Sequence, residues 1–241
     1  MSKERSRVQG GASTHHALLR LVAVGLLALA AVFLASSAPA SPRAVDDVLP
    51  TGQTLAGADY DEWLNRWTIW SLATPSPRNP LLKAKNCKAA PQPSKKVWLL
   101  STLGGGKITI TCTIPAGRAL YVPLVVNTMV ETEKLDTFAK LRSQARSVFV
   151  DTKALLVTID GVPVASPRAY RANTRDLTLD VPQDNILGLP GGGKVKAVAA
   201  GYSLLATGLA PGKHTIVVSA TIKPKGKPAF KPGQTYQITI R

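Results

Sequence analysis

The sequence predicts a mainly β domain, a β-sandwich-like antiparallel fold with two accessory helices. Three observations predict it. Short runs of β-branched and aliphatic residues alternate with polar ones at a period of two, most cleanly in Ile108, Ile110, Cys112 and Ile114 against Thr109, Thr111 and Thr113. Gly- and Pro-bearing turns separate these runs. Only two segments carry the i, i+3, i+4 spacing of an amphipathic helix. No internal repeat is present.

The first helix is expected from Asp59, an N-cap with Glu62 three residues on. Trp63, Trp67 and Trp70 fall on one face, and Pro75 and Pro77 stop the helix. A tryptophan face can stack on sugars, but helical spacing favours docking onto the body of the domain. A loop with Pro80, Pro91 and Pro93 follows, and then a strand over Val97, Trp98, Leu99 and Leu100. Gly104, Gly105 and Gly106 lead into the Ile108 strand and read as a hairpin turn, since no helix follows for them to cradle a phosphate. Pro115, Ala116, Gly117 and Arg118 make the next turn, and residues 119–126 a central strand. Pro123 marks an edge or a bulge in it.

Residues 131–149 read as the second helix, with Leu135, Phe138, Leu141, Ala145 and Val148 inward and Lys134, Lys140, Arg142 and Arg146 as its basic, solvated face. Strands follow at Leu155, Val157 and Ile159, closed by Asp160-Gly161, and at Leu177, Leu179 and Val181. After the loop of Pro190, Gly191, Gly192 and Gly193, a turn over residues 209–213 feeds Ile216, Val218, Ala220 and Ile222. A Lys/Pro/Gly-rich hairpin tip over residues 223–233 precedes a last strand with Tyr236, Ile238 and Ile240.

Residues 1–40 read as an export signal. Lys3, Arg5, Arg7 and Arg20 precede an apolar run from Leu21 to Ala35, and small residues lead up to a cut after Ala40. The apolar run suits a signal better than a span, so no transmembrane span is expected in the mature chain. Residues 41–241 then form a single β-rich exported domain, secreted or periplasmic, with residues 41–53 extended or loose. The signal takes away four of the 30 Lys and Arg and one of the 14 Asp and Glu, leaving a mature charge of +13. It also removes two of three histidines, leaving His214.

This cysteine count and compartment predict a Cys87–Cys112 disulfide, with Cys112 pointing inward from its strand. No metal or cofactor is expected, because ligands are too few. Nucleic acid is not expected either, since no binding motif accompanies the charge. The basic balance points instead to anionic envelope polymers or lipids. Lys83, Lys85, Lys88, Lys95 and Lys96 in one loop region, and Lys223, Lys225, Lys227 and Lys231 in the hairpin tip, are the contact candidates.

For catalysis the only candidates are His214, Asp59, Asp61 and Glu62. His214 lacks a G-x-S-x-G serine and follows a turn, where a polar side chain satisfies loop backbone. The three carboxylates could serve as a glycosidase pair or calcium ligands, but they sit where a helix start favours negative charge. The functional expectation is an exported, non-catalytic binding or structural module of the cell envelope or extracellular space. The alternative is a secreted hydrolase of envelope or environmental polymers.

The order of several short motifs resembles a poorly characterised family of secreted bacterial proteins of unknown function. These are the Trp63, Trp67 and Trp70 helix, Asn79-Pro80, Cys87, Val97-Trp98, and Cys112-Thr113-Ile114-Pro115-Ala116-Gly117. Asp160-Gly161, Gly201-Tyr202 and the segment from Leu209 through Pro211-Gly212 to His214-Thr215 complete the series. The resemblance covers most of the mature chain. It implies export and carries over no functional residue.

Overall fold

The computed structural model describes residues 47–85, 87–88, 90–102 and 106–241. The export signal, its cleavage site, Gly104 and Gly105 lie outside the described residues. Within residues 47–241 two five-stranded sheets pack face to face. The first sheet runs β1 (Val97–Leu99), β3 (Ala119–Val130), β8 (Gly193–Ala206) and β6 (Arg171–Asn173), with β7 (Leu177–Val181) also paired to β8. The second runs β2 (Lys107–Ile114), β10 (Gly233–Ile240), β9 (Gly212–Ile222), β4 (Thr152–Ile159) and β5 (Val162–Pro163). Most pairs are antiparallel, but β1 with β3 and β2 with β10 are parallel.

The period-two strands bury the expected sides. Ile110, Cys112 and Ile114 of β2, Ile216 and Val218 of β9, and Tyr236, Ile238 and Ile240 of β10 enter the core between the sheets. Thr109 and Thr111 face out. Helix α1 (Tyr60–Ala73) covers the other face of the first sheet, where its tryptophans pack on Val97, Leu99, Tyr121, Ala199 and Leu205. The Asp59 side chain accepts the Glu62 N–H at 2.8 Å and so supplies the N-cap. Helix α2 (Phe138–Asp151) shares the inter-sheet side of the first sheet with the second sheet, burying Leu141, Ala145, Val148 and Phe149.

Two expectations need correction, and the structure adds two further points. The strands flanking the triple glycine do not form a hairpin: β1 lies in one sheet and β2 in the other, so the segment crosses between layers. The second helix starts at Phe138, not at residue 131, because β3 continues to Val130 and the Thr137 side chain caps Lys140 N–H. Leu135 therefore lies outside the helix. In residues 47–53 the extended alternative holds at Val48, which bridges to Ala206, and at Leu49, whose N–H bonds to the Leu205 carbonyl. Finally β8, the 14-residue strand that holds the first sheet together, has no counterpart in the sequence reading.

Pro123 stands at a register shift in β3. Its partner Ser203 sends its N–H away from β3, to the Tyr170 carbonyl, so a residue without an N–H fits here. The Asp160-Gly161 turn closes β4 onto β5 with φ of 51° and 80°, the left-handed pair that a two-residue hairpin requires. The Cys87–Cys112 disulfide is present, with Cα atoms 5.6 Å apart. It pins the proline-rich loop to β2.

Candidate functional site

The acidic cluster at the start of α1 is a joint between the helix and the first sheet. Asp61 accepts the Asn173 N–H at 2.8 Å, and Asn65 accepts the Arg175 N–H at 3.1 Å. Glu62 binds Asn65, Arg66 and Arg175. Burial pushes the Asp61 carboxyl up, against the pull of the Asn173 amide. Burial acts on Glu62 in the same sense, but the bonds from Asn65, Arg66 and Arg175 outweigh it and hold the group below its ordinary value.

His214 lies elsewhere, at the start of β9 in the second sheet. Its Nδ1 is 2.7 Å from Asp160 Oδ2, and its Nε2 is 2.7 Å from the Ala210 carbonyl oxygen. A carbonyl only accepts, so Nε2 carries a proton, and the Asp160 carboxylate calls for a second on Nδ1. Burial lowers its pKa, but the bonds to Asp160 and Ala210 and the Asp160 charge outweigh that and raise it. The imidazolium staples the β4–β5 turn to the turn before β9, and Asp160 Oδ1 accepts the Thr215 N–H as well. The structure does not bring His214 together with Asp59, Asp61 or Glu62, since α1 sits on the outer face of the opposite sheet.

The tryptophan face is buried. Trp63, Trp67 and Trp70 are at most 8% exposed. Each indole N–H bonds to a carbonyl: Leu55, Leu100 and Pro91 respectively. No sugar can stack on rings placed this way.

The basic candidates are exposed. Lys83, Lys85, Lys88, Lys95, Lys96, Lys223, Lys225, Lys227 and Lys231 all lie at the surface. Lys83, Lys85, Lys95, Lys96 and the four tip lysines make no ion pair among the described residues. By contrast, two of the four basic residues assigned to the second-helix face are in ion pairs: Lys140 with Asp136, and Arg142 with Asp176.

The hairpin tip and Leu81, two residues ahead of Lys83, border a cleft that sequence reasoning missed. Its volume is about 630 Å³, within the range of small-ligand sites. Leu81, and Lys227 and Phe230 from the hairpin tip, stand on its walls, with residues 124–128 of β3 and Val148 of α2. Phe230 is 45% exposed, unusual for a phenylalanine. No motif could have signalled the cleft, because its walls come from six stretches of the chain, from Trp67 to Gln234.

Among the described residues no group of three or more His, Cys, Asp or Glu is placed to hold a metal ion. No described helix is long and apolar enough to cross a membrane. Comparison with family models, curated proteins and solved structures finds no match to this chain.

Proposed function

We propose that this chain is an exported, non-catalytic binding module of the cell envelope or extracellular space, attached to anionic polymers or lipid head groups through its lysine-bearing loops. The observation that carries the reading is the set of eight exposed lysines that have no carboxylate partner among the described residues, on a loop region and a hairpin tip. Charges left uncompensated on protruding loops attract anions at long range, over a Debye length of about 8 Å at physiological ionic strength. The disulfide is compatible with an oxidising compartment, and the basic–apolar–small order of residues 1–40 supports export. The hydrolase alternative gains nothing from the placement of its candidates, because His214 and the α1 carboxylates serve as structural joints in different layers.

Co-sedimentation with anionic vesicles and with cell-wall material, at low and high salt, tests the reading. Binding at low salt that weakens at high salt, and that is lost when Lys223, Lys225, Lys227 and Lys231 are changed to Gln, is the expected result. Absence of binding at low salt, or binding indifferent to salt, overturns it.

A further inference from the structure

The cleft is bordered by something more specific than apolar side chains. Residues 124–128, five in succession, line it. Side chains of a strand alternate between faces, so an unbroken run can line one cleft only if the strand turns its backbone edge toward it. β1 pairs with β3 only at Ala119, Leu120 and Tyr121. Beyond Tyr121, among the described residues, no strand lies on that side of β3.

The hydrogen-bond phase tells which groups are left over. Ala199 of β8 exchanges bonds with Thr174, on the side away from β3, and Ser203 likewise donates to Tyr170. Backbone groups alternate in direction along a strand, so Gly201 points the same way. Residues paired across an antiparallel ladder either bond each other or both face outward. Val126 pairs with Gly201 and Thr128 with Ala199. The N–H and C=O of Val126 and of Thr128 therefore point out of the sheet, into the cleft, two residues or about 6.8 Å apart.

We propose that this cleft binds an extended polypeptide of a partner protein, which adds as a strand to β3 along Val126 and Thr128. Unpaired donors and acceptors alternating at strand spacing are matched by another strand's backbone. A lipid chain has neither group. The apolar walls at Leu81, Val148 and Phe230 suit alternate apolar side chains, and the neighbouring Lys223, Lys225 and Lys227 favour acidic residues at the ends. Asp151 also borders the cleft and opposes acidic residues placed next to it. The backbone edge does not depend on the electrostatic attachment proposed above, although the two share the tip lysines, so the test is run at high salt.

The test uses an acetylated, amidated heptapeptide, Glu-Val-Thr-Val-Thr-Val-Glu, and a twin N-methylated at every residue, titrated into the purified protein at high salt. The parent should bind, and the twin, with the same side chains but no N–H to donate, should bind at least about tenfold more weakly. Val126→Pro removes an N–H that has no hydrogen-bond partner among the described residues. It should keep the melting temperature within a few degrees and weaken the parent peptide at least about tenfold. If Val126→Pro does not fold, the N-methylated twin on the unaltered protein decides. Equal binding of parent and twin overturns the proposal, as does no binding of the parent at millimolar concentration. So does a concentration-dependent dimer that excludes the peptide, which would assign the edge to a second copy of this chain.

Discussion

Trp67 donates its indole N–H to the Leu100 carbonyl, 2.8 Å away and 33 residues along the chain. The bond ties the middle of α1 to the point where β1 ends, and the ring is 3% exposed. Trp67→Ala should cost about 3–5 kcal/mol in urea unfolding, from the cavity and the lost apolar burial. Trp67→Phe keeps most of the packing and orphans the Leu100 carbonyl, at about 1–3 kcal/mol. An unchanged midpoint for Trp67→Ala would mean that the helix face is not structural.

The Cys87–Cys112 bridge closes a loop with a sequence separation of 25. In the chain-entropy model a loop of this length contributes about 3 kcal/mol. Thermal melting with and without reductant, and of the Cys87→Ser/Cys112→Ser double variant, should show matching losses. Native-state alkylation of both thiols in unreduced protein would contradict the bridge.

His214 sets a pH dependence. Its pKa is raised in the folded state, so the fold binds that proton more tightly than the unfolded chain does. The stabilisation is fully present below the unfolded value of about 6.5 and is lost as pH rises through the folded value. Melting temperature should therefore fall as pH climbs through this window. Asp160→Asn should flatten the profile while keeping the turn, because Asn tolerates the left-handed conformation at residue 160. A profile unaffected by Asp160→Asn would remove the pair as its source.

Gly201 faces the bulge of β3. A Cβ there would collide with the Val125 carbonyl oxygen and sit 2.8 Å from the Val126 Cα. Both neighbours are backbone held in the β3–β8 ladder, so neither can rotate away as a side chain could. Gly201→Ala should cost at least the roughly 1–3 kcal/mol of ordinary overpacking, measured by chemical unfolding. A neutral result would show that the bulge can shift.

The sequence made β2, β9 and β10 legible because one side of each meets the core and the other meets water or a polar margin, which writes a period of two into the residues. β8 left no such trace. From Ala197 to Ala206 it is buried on both faces, by α1 on one side and by the second sheet and α2 on the other, and three of its four residues from Ala197 to Ala200 are alanines with little strand preference. The start of α2 was misread because Val130 and Leu135 fit a helical stripe as well as they fit a strand end and a turn. The Asp59 cap was legible, being local. The Asp160–His214 pair was not, since it joins residues 54 apart. The unpaired edge of β3 depends on β1 stopping at Leu99, a tertiary fact that no window of residues contains.

β10 occupies an interior place in its sheet, between β2 and β9, yet it follows every other strand of that sheet in chain order. Thr111 and its partner Gln237 are separated by 126 residues. Until β10 has been made, β2 has no neighbour among the described strands and β9 has a bare side. The two cysteines, however, are both complete long before. Oxidation can thus lock the loop to a strand that has not yet found its sheet, while assembly of the second layer waits for β10. Bridge and sheet are separate events in time: the first needs only Cys87 and Cys112, the second a segment made long after both.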